Sequence, residues 1–261
     1  MPRLSHLSAS HLTLYLTCSL KFRFQYLDLL PRIGKNANQV FGLAMHAALQ
    51  WLHRELKRSR KPPLDEVLRV YEADWHAQTP EGAEIRFNDN DTPEVFLVKG
   101  KELLGQYYAD YMPKGIKAAE LAFQLPLINP ETGEVLDVPV KGYIDLVEED
   151  GTVVEFKNSA KTMPVNDLPD NLQLTTYSWA YETLFGTPPK DVKLVNLVRT
   201  KTPKIETHIT GREPADYARL FNISKEVVNG VESGVFIPNR SCWMCKDCEY
   251  RAQCDRWGGN A

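Results

Sequence analysis

Long apolar runs are missing from this chain. The opening stretch, MPRLSHLSASHLTLYLTC, is broken by Ser, His and Thr and holds no uninterrupted run of signal-peptide length. Elsewhere the apolar stretches are strand-sized, well short of the roughly 20 residues that cross a bilayer. These absences predict a soluble cytoplasmic protein with no membrane partner. Gly (15) and Pro (17) stand near average usage and no internal repeat is found, which excludes collagen-like and low-complexity chains. Charge of one sign is not in excess either, the net value being −3. Cysteine is scarce and odd in number, at five. In a reducing compartment such thiols are ligands, nucleophiles or inert core residues before they are disulfides. What is present, 261 residues with 43% apolar content, is room for one large domain or for a core domain with a small attached lobe.

The small net charge hides a gradient. Residues 1–63 carry +8, residues 64–150 carry −12 and residues 151–261 carry +1. A near-neutral total therefore leaves nucleic acid in play, because phosphate binding needs a local basic surface, not a basic average. Charge alone fits a solvated polar face equally well.

Hydrophobic spacing divides the chain. Ser8 or Ser10 is positioned to cap a first helix running toward Pro31, and Phe41, Ala44, Ala48, Trp51 and Leu52 set a second over about 38–59, stopped before Pro62 and Pro63. Further helices are expected over about 64–77 and 93–111. After Gly115 the period shortens to two, with strands expected over 119–128, 138–148, 152–158 and 191–199. A helix over about 168–185, with Asp167 or Asp170 as cap and Gly186 past its end, separates the last two. Another helix is expected over 213–229, ahead of a cysteine-rich tail.

Three charged residues interrupt the apolar strands: Asp145 in GYIDLV, and Glu155 and Lys157 in VVEFKN. Buried strands rarely carry such groups without a task. Glu155 and Lys157 share a face, being two apart. A two-residue Asp150-Gly151 turn would place Asp145 opposite Phe156. A three-residue loop, Glu149-Asp150-Gly151 with Gly151 left-handed, places it opposite Glu155. The second register sorts Ile144, Leu146, Val154 and Phe156 onto one apolar face, and is the one expected. Two acids that close suit a hard divalent cation such as magnesium or manganese, and a neighbouring lysine can stabilise charge on a phosphate. A surface ion pair on an ordinary hairpin is the alternative.

Gly-x-x-Asp, then Glu-x-Lys one strand later, then Gln173-x-x-x-Tyr177 on the next helix, resembles the PD-(D/E)XK nucleases of the RecB/AddB exonuclease type, and Gly42-x-x-x-His46 resembles that family's extra metal-binding histidine. The resemblance implies a restriction-endonuclease-like α/β core, a mixed sheet flanked by helices. It implies Mg2+ or Mn2+ held by His46, Asp145, Glu155 and the Phe156 carbonyl, with Lys157 assisting the attacking water. Gln173 and Tyr177, an i,i+4 pair, would position the DNA strand. His6, His11, His53, His76 and His208 lack such a context and are read as structural.

Four of the five cysteines fall within thirteen residues, as Cys242-x2-Cys245-x2-Cys248-x5-Cys254. That density points to structural zinc or an iron-sulfur cluster. CKDCEYRAQC is similar to the tail of the iron-sulfur members of the same family, among them AddB and the CRISPR-adaptation nucleases, in which a fourth ligand comes from near the N terminus. The resemblance thus implies a 4Fe-4S cluster on Cys18, Cys245, Cys248 and Cys254, with Cys242 as the spare thiol. The alternative is a self-contained site formed by the four tail cysteines.

The organisation expected is a helical lobe over 1–115 carrying Cys18 and His46, a nuclease core over 116–212, and a C-terminal helix with the iron-sulfur tail over 213–261, in one compact unit. The function expected is a metal-dependent deoxyribonuclease, an exonuclease on single-stranded DNA ends in recombination, repair or CRISPR spacer acquisition, with helicase or CRISPR-adaptation proteins as partners. Lys21, Arg23 and Lys35, with Phe22, Phe24 and Tyr26, are candidates for the DNA surface, core packing being the equal alternative for the aromatics. Two other readings are a non-catalytic iron-sulfur DNA-binding or scaffold subunit and a prespacer-trimming endonuclease.

Overall fold

The computed structural model describes residues 4–32, 34–87 and 91–257. The chain begins with helices α1 (Ala9–Thr17) and α2 (Ser19–Phe22), the second running on as a π-helical turn over Arg23–Leu27. Strand β1 (Lys35–Asn36), helices α3 (Ala37–Lys57) and α4 (Leu64–Gln78), strand β2 (Ile85–Arg86) and helix α5 (Pro93–Gln106) follow, α5 ending in a π-helical turn over Tyr107–Tyr111. Strands β3 (Ile116–Leu125), β4 (Val140–Glu148) and β5 (Val153–Ser159) precede helix α6 (Leu172–Phe185). Strands β6 (Val192–Val198) and β7 (Lys204–Thr210) and helices α7 (Pro214–Glu232) and α8 (Arg251–Trp257) complete the order. Among the described residues no helix is long and apolar enough to cross a membrane.

The chain forms two compact units, one of residues 34–122 and 143–211, the other of residues 1–33, 123–142 and 212–261. The sheet order is β3-β4-β5-β6-β7, with β5, β6 and β7 wholly in the larger unit. β4 runs antiparallel to β5, β5 parallel to β6 through the α6 crossover, and β6 antiparallel to β7. This is the mixed α/β sheet flanked by helices that the sequence implies. Val40, Phe41, Ala44, Met45, Ala48, Leu49 and Leu52 recur at helical spacing on α3 and are buried. They share one core with Leu146, Val154 and Phe156 of the sheet and with Tyr71, Trp75 and Phe96 of α4 and α5. Asn36 caps α3, its side chain accepting the Asn38 N–H at 2.8 Å.

Three details differ from expectation. Asn171, not Asp167 or Asp170, caps α6: its Oδ1 accepts the N–H groups of Gln173 (3.0 Å) and Leu174 (3.1 Å), while Asp167 lies in a 3₁₀ turn upstream. Gly186 does close that helix, at φ +73°. Strand β7 was not anticipated, because KIETHIT offers only Ile205 and Ile209 to an alternating pattern and Ile209 stays exposed on the sheet edge. The first helix is not continuous, since Cys18 is extended (φ −161°, ψ 97°) and separates α1 from α2.

The smaller unit closes the N terminus onto the tail. Tyr15 donates to the Val235 carbonyl at 2.7 Å, the Leu20 N–H to the Ile237 carbonyl at 3.3 Å and the Ile237 N–H to Ser19 Oγ at 2.7 Å. Tyr15 also fills the space beside Gly230 on α7, where a Cβ would stand 2.2 Å from its hydroxyl. Leu7 pairs with Val140 as a parallel bridge. Phe22 and Phe24 are buried in this unit, Phe22 against His11 and Tyr15 and Phe24 against Tyr250. Core packing is therefore their role.

Candidate active site

The β4–β5 turn sets the site. Gly151 takes φ +88°, the Gly151 N–H donates to the Glu148 carbonyl (3.0 Å) and the Glu148 N–H to the Thr152 carbonyl (2.9 Å), leaving residues 149–151 as the loop. Leu146 then pairs with Val154 and Val147 with Val153, the register that sets Asp145 opposite Glu155. Leu146, Val154 and Phe156 go to the α3 core. Asp145, Glu155 and Lys157 gather on the opposite face, with α6.

There the polar groups meet. The Phe156 N–H donates to Asp145 Oδ2 at 2.9 Å. Glu155 is only 1% exposed; its Oε1 lies 2.5 Å from Lys157 Nζ, and its Oε2 is buried without a hydrogen-bond partner. Lys157 Nζ also donates to Gln173 Oε1 (2.5 Å), whose amide donates to the Tyr177 hydroxyl (3.1 Å). On α3, His46 Nδ1 stands 3.9 Å from Asp145 Oδ2, and the ring is hydrogen-bonded to the Phe156 backbone. The structure thus brings His46, Asp145, Glu155, Phe156, Lys157, Gln173 and Tyr177 together.

Electrostatics mark the same place. Burial, and then the Glu155 charge, hold the Asp145 carboxyl well above the ordinary carboxylate range. Burial pushes the Tyr177 phenol up, again with Glu155 and Asp145 adding to it. Burial lowers His46, against the pull of Glu155. Two neighbouring carboxylates, with one Glu155 oxygen buried and unpartnered, are donors of the chemical type that a hard divalent cation takes.

Further residues join the site that the sequence reading passed over. Glu120 on β3 is half-buried at φ +52°, unusual for a side-chain-bearing residue, and its charge adds to the load on Asp145. Its signal was an acid near the start of the apolar run AELAFQL. Asn196, opposite Lys157 on β6, is fully buried and links Ser159 Oγ (2.9 Å) to Glu206 (3.3 Å). An amide inside VKLVNLV was the corresponding cue. Beneath the site, the Phe156 ring stacks on His53 (5.2 Å, 23°) and meets the edge of Tyr107 (5.6 Å), while His53 Nε2 lies 2.8 Å from the Tyr107 hydroxyl. Burial lowers His53 to about 3, so it is a neutral packing group that fixes the strand whose backbone touches both Asp145 and His46.

Each of the three candidate DNA cations has a partner in its own unit. Lys21 pairs with Glu249 at 2.8 Å and Arg23 with Asp28 at 3.1 Å, both in the smaller unit; Lys35, in the larger, donates to Gln78 at 2.9 Å.

In the smaller unit Cys18, Cys242, Cys245, Cys248 and Cys254 line one cavity. The Asn239 N–H points at Cys18 Sγ (3.5 Å) and Arg251 at Cys245 Sγ (3.6 Å). Burial pushes the Cys248 and Cys254 thiols up, and both feel Cys18. Among the described residues no group of three or more His, Cys, Asp or Glu side chains is arranged to hold a metal ion, neither these thiols nor His46 with Asp145 and Glu155.

The model of the PD-(D/E)XK nuclease superfamily matches residues 6–255. The chain belongs to that superfamily. A solved protein from Eubacterium rectale named "Putative exonuclease" superposes with a TM-score of 0.53 at 10% identity, over 93% of this chain and 88% of that one, a likeness of fold. The solved protein SSO0001 aligns with a TM-score of 0.36 at 16% identity, over 92% of this chain and 94% of that one, too weak an overlap to carry an argument. No curated protein matches. The five-stranded mixed sheet with its flanking helices fits the restriction-endonuclease-like core of the superfamily.

The stacked acids make a prediction about stability. A carboxyl raised in the folded state binds its proton more tightly there than in the unfolded chain, so stability is present at acid pH and falls as pH rises from the ordinary carboxylate range. In chelator, Asp145→Asn should raise the melting temperature at neutral pH by several degrees, with no gain below about pH 4. Equal melting curves at neutral pH would show that the two acids are not in conflict.

Proposed function

We propose that this chain is a metal-dependent deoxyribonuclease of the RecB/AddB type, acting as an exonuclease on single-stranded DNA ends and carrying a 4Fe-4S cluster in its smaller unit. The observation that carries the reading is Asp145 and Glu155 facing each other in a buried setting, with Lys157 against Glu155 and one Glu155 oxygen unpartnered.

His46, Asp145, Glu155 and the Phe156 carbonyl are the groups that would hold Mg2+ or Mn2+. When bound, the cation supplies Lewis-acid stabilisation of the scissile phosphate. The chain's own groups do the rest. Lys157, tethered between Glu155 and Gln173, orients a water for in-line attack on phosphorus and faces the negative charge that develops as the ester P–O bond breaks. Gln173 and Tyr177, linked through the Gln173 amide, present a polar edge on α6 to the strand. The buried Phe156 ring keeps the backbone between Asp145 and His46 from shifting.

The exonuclease part is supported by the resemblance of the motif set, and the name of the Eubacterium rectale protein agrees with it. Recombination, repair and CRISPR spacer acquisition all need processed ends of this kind, and a helicase or a CRISPR-adaptation protein is the partner class. For the cluster, the support is five thiols on one cavity with backbone and guanidinium donors aimed at two of the sulfurs. Cys18, Cys245, Cys248 and Cys254 are the ligand set and Cys242 the spare.

Two experiments test the reading. Glu155→Ala and Lys157→Ala should each lower manganese-dependent digestion of end-labelled single-stranded DNA by about 100-fold or more, with DNA binding retained. Cleavage at the wild-type rate would remove the enzymatic assignment and favour a scaffold. After anaerobic purification, Cys18→Ser should lose visible cluster absorbance and iron, whereas Cys242→Ser keeps both; the reverse pattern would assign the site to the tail alone.

A further inference from the structure

The motif gives both Gln173 and Tyr177 to the DNA strand, but the two are not equally placed to meet it. Gln173 is half-buried, whereas Tyr177, one turn later on α6, is only 5% exposed. A side chain so enclosed meets other side chains. The Tyr177 hydroxyl accepts the Gln173 amide N–H at 3.1 Å, as the i,i+4 spacing of the two residues allows.

Around Gln173 the direction of each hydrogen bond is forced. The Lys157 ammonium carries donors only, so the oxygen of the Gln173 amide faces it (2.5 Å) and the NH2 group turns away. The Tyr177 oxygen receives that NH2 group. The phenol proton is left toward Glu155, whose charge acts on it.

The consequence falls on Lys157. Its ammonium has three N–H bonds. One goes to Glu155 Oε1 (2.5 Å) and one to Gln173 Oε1. With two directions held, the third is fixed, and among the described residues no group of the chain takes it. The Lys157 side chain is 35% exposed, so this third N–H is open to a substrate. Without the Tyr177 hydroxyl the Gln173 amide is free to rotate, and Lys157 is held from the Glu155 side alone.

We infer that Tyr177 is a positioning residue: its hydroxyl locks the Gln173 amide oxygen toward Lys157 and so aims the one open N–H of that lysine at the reacting phosphate, without touching DNA. This rests on the nuclease reading and assigns the inner member of the α6 pair to the lysine, leaving the outer one to face the strand.

The test compares Tyr177→Phe, Gln173→Ala and the double variant by two measurements. One is fluorescence anisotropy of a labelled single-stranded oligothymidylate with divalent cation withheld; the other is single-turnover cleavage of the same strand in manganese, with the chain in excess. Tyr177→Phe removes one oxygen and keeps the ring. It should bind the strand within about twofold of wild type and cleave it about tenfold more slowly or worse. Because Tyr177 acts through Gln173, the double variant should cleave no more slowly than Gln173→Ala alone, whereas independent contributions would multiply. If Gln173→Ala fails to fold, Gln173→Met takes its place in the same comparison. A wild-type cleavage rate in Tyr177→Phe, or losses that multiply in the double variant, overturns the inference. Weaker binding by Tyr177→Phe with an unchanged single-turnover rate also overturns it and returns the residue to the strand. A wild-type chain that binds but does not cut, or does neither, overturns the nuclease reading itself.

Discussion

Two carboxylates share one buried face, and the site depends on that conflict. Asp145, half-buried, and Glu155, buried, face each other across neighbouring antiparallel strands, where like charges repel. The fold eases the strain locally: the Phe156 N–H holds one Asp145 oxygen and Lys157 one Glu155 oxygen. The remaining Glu155 oxygen has no partner, and Glu120 adds a further negative charge. A site in this state holds a proton on Asp145 more tightly than an ordinary carboxylate does, and a bound cation would relieve the same repulsion.

The surrounding elements are there to keep the conflict in register. The left-handed Gly151 fixes a three-residue loop; a two-residue loop would turn Asp145 away from Glu155. α3 covers the apolar face of the strands and carries His46 to the site, while its His53, with Tyr107 from the end of α5, grips the Phe156 ring. α6, capped by Asn171, holds Gln173 against Lys157. Loss of any one of these would loosen the same few oxygen atoms.

Much of this was legible in the sequence because the informative residues broke a pattern. Asp145, Glu155 and Lys157 stand out as charges inside apolar strands, and the side-chain alternation chose the hairpin register. The helices around α3 were visible as apolar periodicity. What could not be read follows from the same physics. Strand β7 lies on an edge, where half-polar sequence is tolerated and the alternation fades. Glu120 is visible as an acid in AELAFQL, but no residue pattern announces its positive φ. The ion pairs of Lys21 with Glu249 and of Arg23 with Asp28, and the burial of Phe22 and Phe24, are known only once the chain is folded.

The most direct test is calorimetric titration of the metal-free chain with manganese. The account predicts one binding event per chain that is weakened at least about tenfold by Asp145→Asn, since one of two charged oxygen donors is then lost. Manganese binding of unchanged affinity in that variant, or none in the wild type, would contradict the claim that the opposed carboxylates exist to hold a cation.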